Sequence, residues 1–222
     1  MVRSCYTENA LEIKNAEVRS IEMPRILFFA ILFGLFSITL LLAACSAPYQ
    51  FHGTRVEPPR AAADFALTNP EGQTVRLSDY RGQLVLLFFG YTHCPDVCPT
   101  TLAQFKRVRA QLGSPAERVR FVFITVDPER DTPELLRTYL AGFDPTFIGL
   151  TGATADLEAV WKSYGVYREK RAVGSALDYS MDHTARIYAV DTRGNLRMTW
   201  LLDTDTAELL QDVRHLLEEN SP

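Results

Sequence analysis

Six consecutive apolar residues, Leu84 to Phe89 (LVLLFF), run directly into Gly90-Tyr91-Thr92-His93-Cys94-Pro95-Asp96-Val97-Cys98-Pro99-Thr100. An apolar run of that length without alternation is the pattern of a strand covered on both faces. Beyond Thr100, Leu102, Phe105, Val108 and Leu112 recur at helical spacing. The junction therefore reads as strand, short loop and helix, with two cysteines placed where the strand ends and the helix begins.

The same alternation continues downstream. Short strands are predicted at Phe65–Leu67 and Val75–Leu77 around the turn Asn69-Pro70-Glu71-Gly72, and Ser78 to Gly82 reads as a turn or single helical turn. Arg120 to Val126 (RFVFITV) is a second buried strand, and Phe147 to Leu150 a short one. Helices are predicted over Pro133–Ala141, with Asp131 and Thr132 as candidate caps and Pro133 in the first turn, over Asp156–Tyr164, and over Thr206–Leu217. Ala185–Val190 and Leu196–Leu201 form a hairpin around Asp191-Thr192-Arg193-Gly194-Asn195. This order of elements predicts an α/β sandwich with a mixed sheet, and no internal repeat or second domain is visible. The composition, 47% hydrophobic and 23% charged, is ordinary for a globular protein. A net charge of -4 gives no basic excess, so a general nucleic-acid binder is excluded.

Residues Ile26 to Ala44 carry no charge, follow Arg25 and end in Leu42-Ala43-Ala44-Cys45. By length the run could span a bilayer. Small residues just before a cysteine resemble instead the lipobox of bacterial lipoproteins, where a signal peptide is cut and a lipid is attached to the cysteine. Either way the remainder lies outside the cytoplasm, anchored to the outer face of a bacterial membrane. Residues 1–22 contain four glutamates, unlike the positive start of a signal peptide, so Met23 is the expected start and Cys5 an artefact of start assignment. The expected organisation is a signal peptide or N-terminal anchor at 1–44, a lipidated N-terminus with a flexible tether rich in proline at 45–62, and one domain at 63–222.

Cys94 and Cys98 are then the only thiols of the exported domain. In helical geometry, positions i and i+4 share a face, with Cβ atoms about 5–6 Å apart. Such a pair can hold a metal, form a redox couple or act as a structural staple, and spacing does not choose among these. A loop this short gains little from cross-linking. A helix N-terminus would favour thiolates. Structural zinc needs four Cys or His ligands, whereas two thiolates and one imidazole suit copper, especially Cu(I). The candidate histidines are His52 in the tether, His93, His183 and His215 on the last helix. His52 and His215 read as surface residues. His93 adjoins Cys94 and would point away from it in extended chain, and His183 precedes a predicted strand. A lone loop histidine is otherwise a solvated residue.

Three ordered motifs carry a family resemblance: Phe89 to Pro99 (FGYTHCPDVCP), Val126 to Pro133 (VDPERDTP) and Asp182-His183-Thr184, with Phe147 to Gly152 (FIGLTG) between the last two. From about Phe65 to Leu217 the chain resembles the SCO/SenC family, thioredoxin-like copper proteins that assist assembly of cytochrome c oxidase. The resemblance implies a thioredoxin-like sandwich, a mixed central sheet flanked by helices. It maps the copper ligands onto Cys94, Cys98 and His183, and links Asp127 to copper binding or to the integrity of the site. Arg130 reads as a salt-bridge partner and Asp131 as a helix cap. Met181 offers a thioether but stands outside the motif, as a bystander.

The implied function is a membrane-anchored copper metallochaperone that loads the dinuclear copper site of the cytochrome c oxidase copper-centre subunit. Other copper chaperones or thiol reductases are further implied partners. The alternative is a thiol:disulfide oxidoreductase using Cys94 and Cys98 as a redox dithiol. Thioredoxin-like reductases usually carry C-x-x-C and a cis-proline before the facing strand. Here the cysteines have an extra residue between them and Asp182-His183-Thr184 stands without proline, which favours metal binding.

Overall fold

The strand Leu84–Gly90 is buried along its whole length, as its apolar run demands, and the rest of the domain is built outward from it. The computed structural model describes residues 48–172 and 179–219, together with Pro24, Ile26, Phe29 and Phe33. The chain divides into two units, Met1–Tyr49 and Gln50–Pro222. In the first, Ile26, Phe29 and Phe33 are helical and exposed; Cys45, residues 1–22 and most of the apolar run lie outside the described residues. Among the described residues no helix is long and apolar enough to cross a membrane.

The second unit runs β1 (Thr54–Ala61), β2 (Ala66–Thr68), β3 (Thr74–Arg76), β4 (Leu84–Gly90), α1 (Val97–Leu112), β5 (Val119–Thr125), α2 (Pro133–Ala141) and β6 (Ile148–Leu150). It continues through α3 (Thr154–Tyr164), β7 (Arg168–Ala172), β8 (Tyr179–His183), β9 (Arg186–Val190), β10 (Asn195–Leu201) and α4 (Thr206–Glu219). Six strands form one sheet in the order β1-β10-β9-β4-β5-β6. β4, β5 and β6 are parallel, while β9 is antiparallel to β4, β10 to β9 and β1 to β10. The sheet is mixed and flanked by helices, as the alternation of elements implied.

Adjacent residues of β4 show why it needs a layer on each side. Phe88 meets the rings of Phe105 on α1 and Phe123 on β5 at 6.5 and 5.9 Å. Phe89, on the opposite face, meets Tyr164 on α3 and Tyr188 on β9, both at 5.6 Å. β10 alternates instead, burying Leu196, Met198 and Trp200 between half-exposed neighbours.

Two stretches depart from the sequence reading. Thr54–Ala61, inside the segment expected to be a flexible tether, is an edge strand paired to β10. Pro58 and Pro59 cannot donate to a ladder, and they sit where the register with β10 shifts, between Arg55 and Arg60. An outer strand tolerates that combination. Arg168–Ala172 and Tyr179–His183 pair as a separate two-stranded hairpin, β7–β8, outside the main sheet. Polar Arg168-Glu169-Lys170-Arg171 had given no strand signal, and His183 is the last residue of β8 rather than a loop residue.

Candidate metal centre

The last residue of β4 is Gly90, at a position where a side chain would crowd its neighbours. A Cβ there would lie 2.8 Å from Cys98 Sγ and 2.9 Å from the Phe123 ring. The loop then turns back, the Cys94 N–H donating to the Tyr91 carbonyl at 3.3 Å, and α1 begins at Val97, three residues earlier than its apolar pattern shows. Cys98 thus falls in the first helical turn and is fully buried, while Cys94 above it is 8% exposed. Both are free thiols. The Cys98 N–H faces Cys94 Sγ at 3.5 Å.

Asp131 holds this loop in place. Its Oδ1 accepts from the Thr92 N–H at 3.1 Å and the Thr92 hydroxyl at 2.6 Å, and its Oδ2 accepts from the Thr125 hydroxyl at 2.6 Å. Burial pushes the Asp131 carboxyl above the usual carboxylate range despite these donors. The expected role of Asp131 as a helix cap is corrected: Thr132 caps α2, accepting from the Leu135 N–H at 3.2 Å.

The two thiols are driven apart electrostatically. Cys94 is lowered to about 4, chiefly by a hydrogen bond from the Cys98 thiol, then, against the cost of burial, by His183 and the N–H groups of Asp96 and Cys98. Cys98 is pushed up by that same hydrogen bond and by burial. The pair shares one proton, held on Cys98.

His183 comes from the hairpin. Its Nδ1 lies 3.1 Å from the Thr184 carbonyl, an acceptor, so Nδ1 carries a hydrogen there. Its ring meets Tyr91 edge-on at 5.8 Å. A cleft of about 540 Å³ opens here, lined by Cys94, His183, Met181, Tyr91 and Tyr167 among others. The other histidines are placed elsewhere. His93 Nδ1 turns to the Thr92 hydroxyl at 3.0 Å. His52 is exposed, as read, with its Nδ1 3.1 Å from buried Asp212, whereas His215 is half-buried, its ring packed on Phe51 at 5.2 Å. Among the described residues, no three of His, Cys, Asp and Glu form a ready-made metal cluster. Cys94 and His183 line one cleft, but Cys98 lies beneath Cys94 and does not line it.

The family model described as SCO1/SenC matches residues 54–218. The chain belongs to the SCO1/SenC family. The mitochondrial SCO2 homolog of Bos taurus is 41% identical over 148 residues, covering 63% of this chain and 55% of the bovine protein. The chain thus spans about half the length of that mitochondrial relative. A SCO2-like protein of Rickettsia felis is 33% identical over 156 residues, covering 70% of this chain and 76% of its own. Among solved structures, apo Sco1 of Thermus thermophilus superposes with a TM-score of 0.67 at 40% identity, covering 78% of this chain and 99% of that one. ScoI of Bradyrhizobium japonicum, solved with copper bound, gives 0.65 at 41% identity, covering 70% and 99%. The thioredoxin-like fold follows.

Within this SCO1/SenC domain Asp127 is fully buried and does not line the cleft. Its Oδ2 accepts from Arg130 Nε at 2.6 Å and its Oδ1 from the Tyr179 hydroxyl at 2.8 Å. Arg130 Nη1 also donates to the Tyr179 carbonyl at 3.0 Å, and its guanidinium lies 3.6 Å from the Tyr179 ring centroid. Arg130 is thus the salt-bridge partner expected of it. Lys170 pairs with Glu129, and Arg168 Nη1 donates to the Val126 carbonyl at 2.7 Å. The segment Val126–Arg130 therefore fastens the hairpin that carries His183. Sequence reasoning missed Tyr179; its one signal was its place beside Ser180-Met181-Asp182-His183.

Proposed function

We propose that this protein is a copper metallochaperone, holding copper through Cys94, Cys98 and His183 and passing it to the dinuclear copper site of cytochrome c oxidase. Cysteine sulfurs and an imidazole nitrogen are soft and borderline donors, the set that suits Cu(I). The copper-bound ScoI of Bradyrhizobium japonicum, at 41% identity, supports the same cargo. One observation carries the reading: Cys94 and His183 line the same open cleft, and Cys98 lies directly beneath Cys94 with its N–H 3.5 Å from Cys94 Sγ. Cys94 is already a thiolate near neutral pH. The ion must displace only the proton held on Cys98, so loading releases that proton. Three protein donors leave a side open to a ligand from the recipient. Asp127 acts by holding the hairpin through Tyr179 and Arg130, so it positions His183 without touching the ion. Cys45 is the lipid attachment site that keeps the domain on the outer face of a bacterial membrane.

Titration of the reduced full chain with Cu(I), in a Cys5→Ser/Cys45→Ser background and beside His183→Ala, tests this. Tight binding of one ion, weakened at least tenfold by His183→Ala, is expected. No tight binding, or equal binding by the variant, overturns the reading.

A second reading rests on the asymmetry of the thiols. A low-pKa Cys94 that lines the cleft, over a fully buried Cys98 whose pKa is raised, is the arrangement of an attacking and a resolving cysteine. In this thiol:disulfide oxidoreductase, the Cys94 thiolate attacks a disulfide of the oxidase subunit or of another copper chaperone. Cys98 then closes the Cys94–Cys98 disulfide, and the substrate leaves with both thiols reduced. Rapid reduction of such a disulfide by a chain that binds no copper would favour it.

A further inference from the structure

Met181 is the one residue of the β7–β8 hairpin that is fully buried; the hairpin's other described residues are half-exposed or exposed. It stands two positions before His183 on β8, and successive side chains of a strand alternate, so the two share a face. Both line the cleft with Cys94. A leucine or isoleucine would fill the same apolar position. The chain instead places a thioether in the same cleft as a cysteine sulfur and an imidazole.

We propose that Met181 contributes its sulfur as a fourth, soft donor to Cu(I) held by Cys94, Cys98 and His183. The inference rests on the copper reading above and extends it to oxidation state. A thioether is neutral and needs no deprotonation, so it adds a contact without adding charge. It is soft, favouring Cu(I) over Cu(II). Its three rotatable bonds let it follow an ion into a site whose ligands do not yet converge. Met181 therefore biases the site toward the reduced ion and keeps the hairpin packed when the cleft is empty.

The test uses the full chain with Cys5→Ser and Cys45→Ser, labelled with 13C at the methionine methyls. The chain has four methionines, Met1, Met23, Met181 and Met198. Met198 is buried on β10 and does not line the cleft, so it is an internal control. Cu(I) is diamagnetic, so the signals stay sharp. One equivalent of Cu(I) should shift the Met181 methyl, assigned by its loss in Met181→Leu, and leave Met198 in place. In competition with bicinchoninate, Met181→Leu should bind Cu(I) about tenfold more weakly than its parent, with Cu(II) affinity changed less than about threefold. A Met181 methyl unmoved by bound Cu(I) overturns the proposal and leaves the copper reading standing. Equal loss of Cu(I) and Cu(II) affinity in Met181→Leu also overturns it, since that is the signature of packing alone. If the parent binds no Cu(I), both readings fall together. The methyl shift is read on the unsubstituted Met181, so it decides the matter even where Met181→Leu disturbs the hairpin.

Discussion

The two halves of the candidate site are held in different ways. Cys94 and Cys98 follow β4, an inner strand bonded to β5 and β9 and covered on both faces. His183 ends a two-stranded hairpin that has no strand neighbour in the main sheet. Among its described residues the hairpin is fixed by one buried side chain, Met181, and by polar fastening through Asp127, Arg130 and Tyr179 and through Arg168 and Lys170. An element with few buried apolar contacts opens at lower free energy than core strands do. The thiols are thus preorganised, and the histidine is the adjustable ligand. That division suits a site that must close on an ion and later give it up.

The largest effect is expected from breaking the thiol half. Asp131→Ala strands three donors, the half-buried Thr92 N–H and hydroxyl and the buried Thr125 hydroxyl, and should cost about 3 kcal/mol in urea unfolding. A loss below about 1 kcal/mol would mean that the loop is not held from Asp131. Next is the thiol asymmetry. With Cys94 at about 4, alkylation at pH 5 should run about a hundredfold faster than for the unfolded chain, after allowing for the weaker nucleophilicity of a low-pKa thiolate. The linkage follows in sign. Between about pH 4 and the ordinary thiol range, the folded chain has shed a Cys94 proton that the unfolded chain keeps. That contribution to stability is therefore fully present above the thiol range and lost as pH falls toward 4. Cys98, pushed up, acts oppositely above the thiol range. An alkylation rate that falls steeply below pH 8 would contradict the shared proton. Gly90→Ala should cost about 2 kcal/mol, since its new Cβ meets Cys98 Sγ and two rings. It would loosen the rigid half and bring Cys98 nearer to the adjustable behaviour of His183, which Cys98 alkylation in the folded chain would read.

The same division governed what the sequence could reveal. β4 and α1 were legible because the apolar period is strong where both faces are covered, and the cysteines came with them. The hairpin was not, because four of the five residues of β7 are exposed and its stability comes from contacts distant in sequence. Tyr179 reaches Asp127 across 52 residues, and Asp131 reaches Thr92 across 39. The Asp-Thr-Pro segment looks like a local cap, and only the threonine is one. β1 was hidden for another reason: its prolines carry a linker's composition, and only an outer ladder with a register shift can hold them. His183 was reached through its motif, not through any periodicity, since one imidazole before a strand has no pattern of its own.

The smallest effect tests the other half alone. Tyr179→Phe removes one hydrogen bond to Asp127 and keeps the ring under Arg130, so it should cost about 1 kcal/mol. The loss should be confined to the hairpin. Amide exchange should quicken at the β7–β8 pairs, from Arg168 opposite His183 to Ala172 opposite Tyr179, while β4 and β5 keep their protection. Alkylation of Cys94 should change little, because its sulfur faces the N–H of Cys98 on α1, outside the hairpin. Cu(I) should restore hairpin protection as His183 is drawn to the ion, and addition of metal to the parent should slow the same amides. If the substitution instead raises exchange evenly through the main sheet, the hairpin is one cooperative unit with the thiol half, and His183 is as preorganised as the cysteines.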